Sequence, residues 1–179
     1  MPILNIEFKA ATNRLAELEI LLKQFNPLFI GEDHQVDTYF KVSHPLSQSY
    51  GGQAGRLKLR EGNIENALIH YEREDIAGSK SSHVLLYQHQ PDKVLKEILI
   101  KALGIKAVVD KRRKIYFINN VKFHFDTVDG LGTFIEVEAI DKDGTIGREK
   151  LQAQCDEYAA LFNIEAADFC SHSYSEMIM

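Results

Sequence analysis

The amino-acid sequence predicts an α+β fold, an antiparallel β-sheet closed into a barrel with helices packed on its outside. Three observations predict it. Seven or eight segments alternate polar and apolar residues, most of them are joined by hairpin turn sequences, and helical patterns fall only between and after them. A sheet that large, with many charges inside its alternation, gains from closing on itself, because closure removes unpaired edges and creates an interior. At 179 residues, 45% of them hydrophobic, the chain has the size and apolar content of one domain spanning 1–179.

The first strand is expected over roughly 2–10, where Ile6 and Phe8 alternate with Asn5, Glu7 and Lys9. Leu15, Leu18, Leu22 and Phe25 then recur at helical spacing behind Thr12 and Asn13, either of which can cap, and the pattern stops at Asn26-Pro27. Asp37–Lys41 reads as a short strand, followed by a loop from Ser43 to Gly55 that is too polar and glycine-rich to pack as an element and could order over a ligand. Arg56–Arg60 and Ala67–Arg73 form a hairpin around Glu61-Gly62-Asn63, and His83–Tyr87 is a further strand. Pro91 opens a second helix with Val94, Leu95, Ile98, Leu99 and Ala102 on one face and Gly104 as its C-terminal cap. Strands follow over 106–118, 121–128 and 132–141, joined by Asn119-Asn120 and Asp129-Gly130, pairs suited to the positive φ angles of tight turns. Leu151, Cys155, Tyr158 and Phe162 mark a third helix, and a short tail ends the chain.

A net charge of −5 argues against a broad nucleic-acid or acidic-membrane surface, so any anion site must be local. Cys155 and Cys170 are too few for a disulfide framework and form no CxxC pair, which fits free thiols in a reducing compartment. MPILNIEFKA has no basic stretch followed by an apolar run, and no segment approaches about 18 consecutive apolar residues, so the expected location is the cytoplasm.

The charges are informative through their parity, since residues two apart on a strand share a face. Glu7 and Lys9 share one, as do Arg56, Lys58 and Arg60; Lys111 and Arg113; His124 and Asp126; Glu136 and Glu138; and Arg73 shares a face with Tyr71. Each pair alone reads as the solvated face of a half-buried strand. The signs, however, are segregated: Arg56, Lys58 and Arg60 carry no acid between them, and Glu136 and Glu138 no base, whereas a surface built for solubility mixes signs. Converging, such faces would set a basic ring beside a carboxylate cluster, which suits a polyphosphate with its Mg²⁺ or Mn²⁺ ions. Parity does not decide whether they point into a barrel or out of it.

Asn5-Ile6-Glu7-Phe8-Lys9 resembles the ExExK signature that opens the CYTH, or triphosphate tunnel, superfamily. Later segments follow that superfamily's order: Asp37-Thr38-Tyr39-Phe40, Leu57-Lys58-Leu59-Arg60, Tyr71-Glu72-Arg73, Lys111-Arg112-Arg113-Lys114-Ile115-Tyr116, and the run from His124 to Glu138 containing Asp129-Gly130-Leu131-Gly132. The last run most resembles the class IV adenylyl cyclase branch; thiamine and inorganic triphosphatases belong to the same superfamily. The resemblance implies an eight-stranded tunnel in which Lys9, Lys58, Arg60, Arg73, Lys111 and Arg113 hold and act on the triphosphate, with Arg56 either beside them or at the rim. It implies that Glu7, Asp126, Glu136 and Glu138 bind one or two divalent ions, Mg²⁺ or Mn²⁺. It is also compatible with a homodimer. The first Glu of ExExK is Asn5 here, which removes one carboxylate from the metal cluster.

His124 is a candidate contact to phosphate or base, or simply a histidine bonded to the barrel wall. No HxxxH or HExxH spacing points to zinc, neither cysteine has a nucleophile's motif, and Gly51-Gly52 and Gly55 precede no GK[ST] of a P-loop. Lys111-Arg112-Arg113-Lys114 splits between two strand faces, so it is not a nucleic-acid patch. The expected functions are cyclisation of ATP to cyclic AMP and pyrophosphate, hydrolysis of inorganic, thiamine or nucleoside triphosphate, or polyphosphate binding without catalysis.

Overall fold

The computed structural model describes residues 3–42, 55–74 and 76–179. Eight antiparallel strands close into a barrel: β1 (Ile3–Ala11), β2 (Leu28–Phe40), β3 (Arg56–Gly62), β4 (Ala67–Arg73), β5 (Lys80–Gln88), β6 (Ile105–Ile118), β7 (Val121–Val128) and β8 (Gly132–Asp141). Their order around the wall is β1-β5-β4-β3-β2-β6-β7-β8, and pairing of β1 with both β5 and β8 closes the sheet. The helices are α1 (Leu15–Lys23), α2 (Lys93–Leu103), α3 (Arg148–Leu161) and the single turn α4 (Tyr174–Met177). None is long and apolar enough to cross a membrane.

The main apolar core lies outside the barrel, between its wall and two helices. Ile6 and Phe8 of β1, Phe123 and Phe125 of β7, and Ile135 and Val137 of β8 cluster with Leu18 and Leu22 of α1 and with Leu151 and Cys155 of α3, all almost fully buried. Each large side chain placed this way stabilises the fold by about 1.5–3 kcal/mol. Because successive strand residues face opposite sides, packing this parity outward turns the other parity inward. Glu7 and Lys9, His124 and Asp126, and Glu136 and Glu138 are thereby directed to the interior, which resolves the ambiguity that parity alone leaves. The Cys155 thiol donates to the Ile6 carbonyl (3.1 Å), and burial pushes its pKa up to about 12, in keeping with a packing role.

Several elements differ from expectation. Strand β2 runs Leu28–Phe40 instead of Asp37–Lys41, because a register shift between Phe29 and Gly31, with Gly31 at φ 146°, breaks the alternation by which its first half would be recognised. Strand β5 likewise extends beyond His83–Tyr87 at both ends. Helix α1 stops at Lys23, which leaves Phe25 exposed; Arg14 occupies its N-cap, while Thr12 Oγ1 accepts the Arg14 amide. Helix α2 begins at Lys93, with the Asp92 carboxylate accepting the Val94 amide (2.8 Å), so Pro91 precedes the cap instead of opening the helix; Gly104 closes it at φ 76°. Its apolar face is only partly covered: Val94 and Ile98 are exposed, while Leu95 and Leu99 are half-buried. Of the loop expected over Ser43–Gly55, residues 43–54 lie outside the described residues.

The expected tail is an ordered element. Phe169 bridges to Ala10 of β1, the Cys170 amide donates to the Lys9 carbonyl (2.8 Å), and Lys80 Nζ donates to the carbonyls of Cys170 and Ser171 (2.8 and 3.3 Å). These ties carry α4 to one end of the barrel, where Ser173 and Glu176 form a capping box.

Candidate active site

The barrel encloses a cavity of about 1050 Å³, and Lys9, Lys58, Arg60, Arg73, Lys111 and Arg113 all line it. Asp37 of β2, fully buried, gathers three of these cations. Its Oδ2 accepts from Lys58 Nζ (2.9 Å) and Lys111 Nζ (2.7 Å), while Arg60 donates through Nε and Nη2 to its two oxygens (2.9 Å each). Burial alone would raise the Asp37 pKa, but Arg60, Lys111 and Lys58 together hold it well below the usual carboxylate range. One negative charge does not balance three positive ones. Burial together with the neighbouring Arg60 and Arg113 therefore holds the Lys111 pKa well below normal despite Asp37, and Lys9 is lowered mainly by burial. Arg73 donates through Nη1 to Glu7 (3.3 Å), and its Nε and Nη2 are buried without a partner among the described residues. Such donors are costly to leave unpaired, and an anion in the lumen would satisfy them.

A second cluster centres on Glu136. Its Oε2 accepts from Arg113 Nη2 (2.9 Å) and His124 Nδ1 (3.2 Å), and Lys9 Nζ lies 3.8 Å from Oε1. Against the effect of burial, Lys9, His124 and Arg113 keep the Glu136 pKa well below normal, so it is a carboxylate that can only accept. His124 Nδ1 therefore carries the proton. Burial and the Arg113 charge pull the His124 pKa down to about 3, so the ring is neutral, and its Nε2 is a buried acceptor with no partner among the described residues. Glu138 is crowded: burial, then the charges of Glu136 and Glu7, push its pKa up to about 7. His124, Glu136 and Glu138 offer ligand atoms within 4.8 Å of one another. A carboxyl raised by like charge beside a second carboxylate fits a hard divalent cation, which takes oxygen ligands. Asn5, buried on the same inward row of β1 as Glu7, has an Oδ1 without a partner among the described residues, a neutral oxygen donor on that row.

If the Glu138 carboxylate takes part in holding a divalent ion, Mn²⁺ affinity is expected to fall about tenfold between pH 8 and pH 6, measurable by calorimetry. In the metal-free protein the sign is opposite: a folded-state pKa raised from 4.5 to about 7 stabilises the fold below the lower value, and this is lost as pH climbs through 7. Equal Mn²⁺ affinity at both pH values would remove Glu138 from the binding group.

One end of the lumen is filled by the C-terminal segment. The Tyr174 hydroxyl donates to Asp126 Oδ2 (2.7 Å), and Lys9 Nζ sits 3.7 Å from the Tyr174 ring centroid. Asp126 also receives Arg113 through Nε and Nη2 (2.7 and 2.6 Å). Arg56 lies at this end too, bonded through Nη2 to Glu176 Oε1 (2.6 Å) and 5.7 Å from the Tyr71 ring centroid.

Of the residues singled out in the sequence, ten thus share the lumen wall: Lys9, Lys58, Arg60, Arg73, Lys111, Arg113, His124, Glu7, Glu136 and Glu138. Asp126 and Arg56 lie at the end occupied by α4, where the first is taken up by Arg113 and Tyr174 and the second by Glu176. Four contributors escaped the sequence reading. Asp37 sits on the same parity as Tyr39, in a strand whose register lies opposite Arg60. Lys122 shares the parity of His124 and Asp126, so alternation alone could have found it. Glu65, in the β3–β4 turn, accepts from Arg60 (3.0 Å) and pairs with Lys122, and a turn residue has no period to betray it. Tyr174 follows Ser173, and the Ser-x-x-Glu spacing to Glu176 was a visible cap signal.

The geometry is that of a cation-lined tunnel with His124, Glu136 and Glu138 clustered in its wall, and the CYTH domain model matches residues 4–169. This chain belongs to the CYTH family. A Methanocaldococcus jannaschii protein provisionally assigned as an adenylate cyclase is 24% identical over 178 residues, covering 98% of both chains. Among solved structures, a provisionally assigned adenylate cyclase from Vibrio parahaemolyticus superposes with a TM-score of 0.76 at 20% identity, over 97% of each chain. A Hippeastrum protein, provisionally an adenylyl cyclase and described as having a dominant triphosphatase activity, superposes with a TM-score of 0.60 at 15% identity, over 99% of this chain and 94% of its own. The eight-stranded closed barrel with helices is the CYTH triphosphate tunnel fold.

Proposed function

We propose that this CYTH protein is a divalent-metal-dependent enzyme acting on an organic triphosphate, and that its reaction is cyclisation of ATP to cyclic AMP and pyrophosphate. The observation that carries the reading is adjacency within one lumen: a depth lined by cations with unpaired donors at Arg73 lies beside the His124, Glu136 and Glu138 group. The β- and γ-phosphates enter first. Lys58, Arg60 and Lys111 exchange part of their hold on Asp37 for phosphoryl oxygens, and Arg73 and Lys9 add donors from the other side of the lumen. The 3′ hydroxyl oxygen attacks the α-phosphorus and gives up its proton to water; a new O–P bond forms as the bond from the α-phosphorus to the bridging oxygen breaks, and pyrophosphate leaves into the cationic depth, where its charge is already matched. A divalent ion held by the Glu136 and Glu138 carboxylates beside His124 would supply Lewis-acid stabilisation of charge on the reacting phosphate.

Hydrolysis by water in the same lumen is the second reading. Asn5, where the ExExK pattern has glutamate, weakens the metal cluster's charge, and a structural neighbour is described as chiefly a triphosphatase. Incubation with Mg²⁺ or Mn²⁺ and ATP, tripolyphosphate or thiamine triphosphate separates them: cyclic AMP with pyrophosphate supports the first, orthophosphate alone the second, and binding without turnover defeats both. Independently, Lys58→Ala with Arg60→Ala is expected to abolish the thermal stabilisation given by tripolyphosphate. Undiminished stabilisation would take these residues out of the site.

A further inference from the structure

The inward-facing rows change character toward the end of the barrel away from Tyr174. On β1 the row runs Lys9, Glu7, Asn5, Ile3; on β8, Glu136, Glu138, Ile140; on β5, Ser82, Val84, Leu86. On β6, Lys111 and Arg113 give way to Phe117, which is registered opposite Lys122; Lys122 in turn is opposite Glu138. Ile3, Leu86, Phe117 and Ile140 all line the same cavity as the charges, joined by Tyr87. Leu86 and Tyr87 are 46% and 67% exposed, so apolar surface faces water where the charged lumen opens. A bare polyphosphate would fill the charged depth and leave this cuff wet, whereas a substrate with a flat apolar group behind its phosphates would cover it.

A polar atom in this rim has no partner among the described residues. His89, just past β5, lines the cavity; its Nδ1 lies 2.6 Å from the Gln90 carbonyl, which can only accept, so Nδ1 carries a proton. In the neutral ring Nε2 is then a buried acceptor, and it has no partner. An acceptor beside an apolar cuff matches an aromatic heterocycle bearing an exocyclic amino group.

We infer that the cuff formed by Ile3, Leu86, Tyr87, Phe117 and Ile140 is the nucleobase site, and that His89 Nε2 accepts from the amino group of adenine. This rests on the proposed use of the lumen for a triphosphate and adds what selects the organic end. The neighbourhood of Phe117, Lys122 and Glu138 places the base next to the α-phosphate end of the chain, as a nucleotide bound phosphates-first requires.

The test is calorimetric titration of the full chain, in EDTA to prevent turnover, with ATP, inosine triphosphate and tripolyphosphate. Phe117→Ala and Leu86→Ala are each expected to weaken ATP about tenfold, the scale of a lost base-stacking contact, and to leave tripolyphosphate unchanged, which also shows that the variants are folded. His89→Ala is expected to abolish the preference for ATP over inosine triphosphate, whose base has an oxo group in place of the amino group. Equal loss of both ligands in Phe117→Ala and Leu86→Ala, or of neither, overturns the base site, and a preference that survives His89→Ala overturns the role of His89. If wild type binds ATP but not tripolyphosphate, the phosphate reading of the lumen fails while the cuff stands; if it binds neither, both fail.

Discussion

Asp37→Ala is expected to destabilise the fold by about 3–5 kcal/mol, the usual consequence of removing one partner from a buried ion cluster. Lys58 and Lys111 would be left around a void without their carboxylate, and Arg60 with Glu65 alone. For a chain of this length that corresponds to a fall in Tm of roughly 6–20 °C. Unlike an ordinary core defect, this one should be repairable by ligand. Tripolyphosphate brings the missing negative charge, so its stabilising shift should be larger in Asp37→Ala than in wild type, by mass action on a folded state that needs the anion more. Thermal melts with and without tripolyphosphate decide the matter. A variant within about 1 kcal/mol of wild type would mean that the three cations are not held by Asp37, and an unchanged ligand shift would mean that they do not face the bound phosphates.

Glu138→Gln is expected to remove most of the turnover and little of the stability. Glu138 has no short ion pair among the described residues, its nearest partner being His124 Nδ1 at 3.7 Å, and it is the carboxyl that burial and like charge disfavour in its ionised form. Substituting a neutral amide relieves that repulsion, so melting temperature near pH 7 should hold or rise. Losing a carboxylate from the metal group should lower kcat by about 10²–10⁴, the equivalent of several kcal/mol of transition-state stabilisation. Such a trade, stability gained where activity is lost, is characteristic of a site kept under electrostatic strain for function. Initial rates and melts on the same preparation test it, and full activity in Glu138→Gln would refute the assignment.

Strand parity and turn chemistry carried much of this architecture in the sequence, because both depend on local geometry. The inward set Glu7, Lys9, Lys58, Arg60, Arg73, Lys111 and Arg113 was legible as alternating positions, and its convergence followed from the resemblance. Less legible was whatever depends on a neighbouring strand. The absence of acid on the face of Lys58 and Arg60 was correctly read as unusual, yet their counter-ion is Asp37, one strand over in register, and a single chain segment does not display cross-strand partners. Glu65 reaches the lumen because the turn that bears it is folded back on Asp33, whose carboxylate accepts the Ile64 and Glu65 amides at 2.9 Å each. Gly62 permits that closeness, since a Cβ there would lie 2.6 Å from Asp33 Oδ1. A Gly in a turn was evident; what it approaches was not. Similarly, the bulge at Gly31 hid half of β2 from any test based on period.

Filling one end of the barrel with Ser173 and Tyr174 has a kinetic consequence. A chamber filled and emptied through its other end empties in the reverse of the order in which it fills. If ATP enters with its phosphates leading, pyrophosphate is the innermost product and must wait for the cyclic nucleotide to depart. Accumulated pyrophosphate would then compete directly with incoming ATP, while the cyclic product would not.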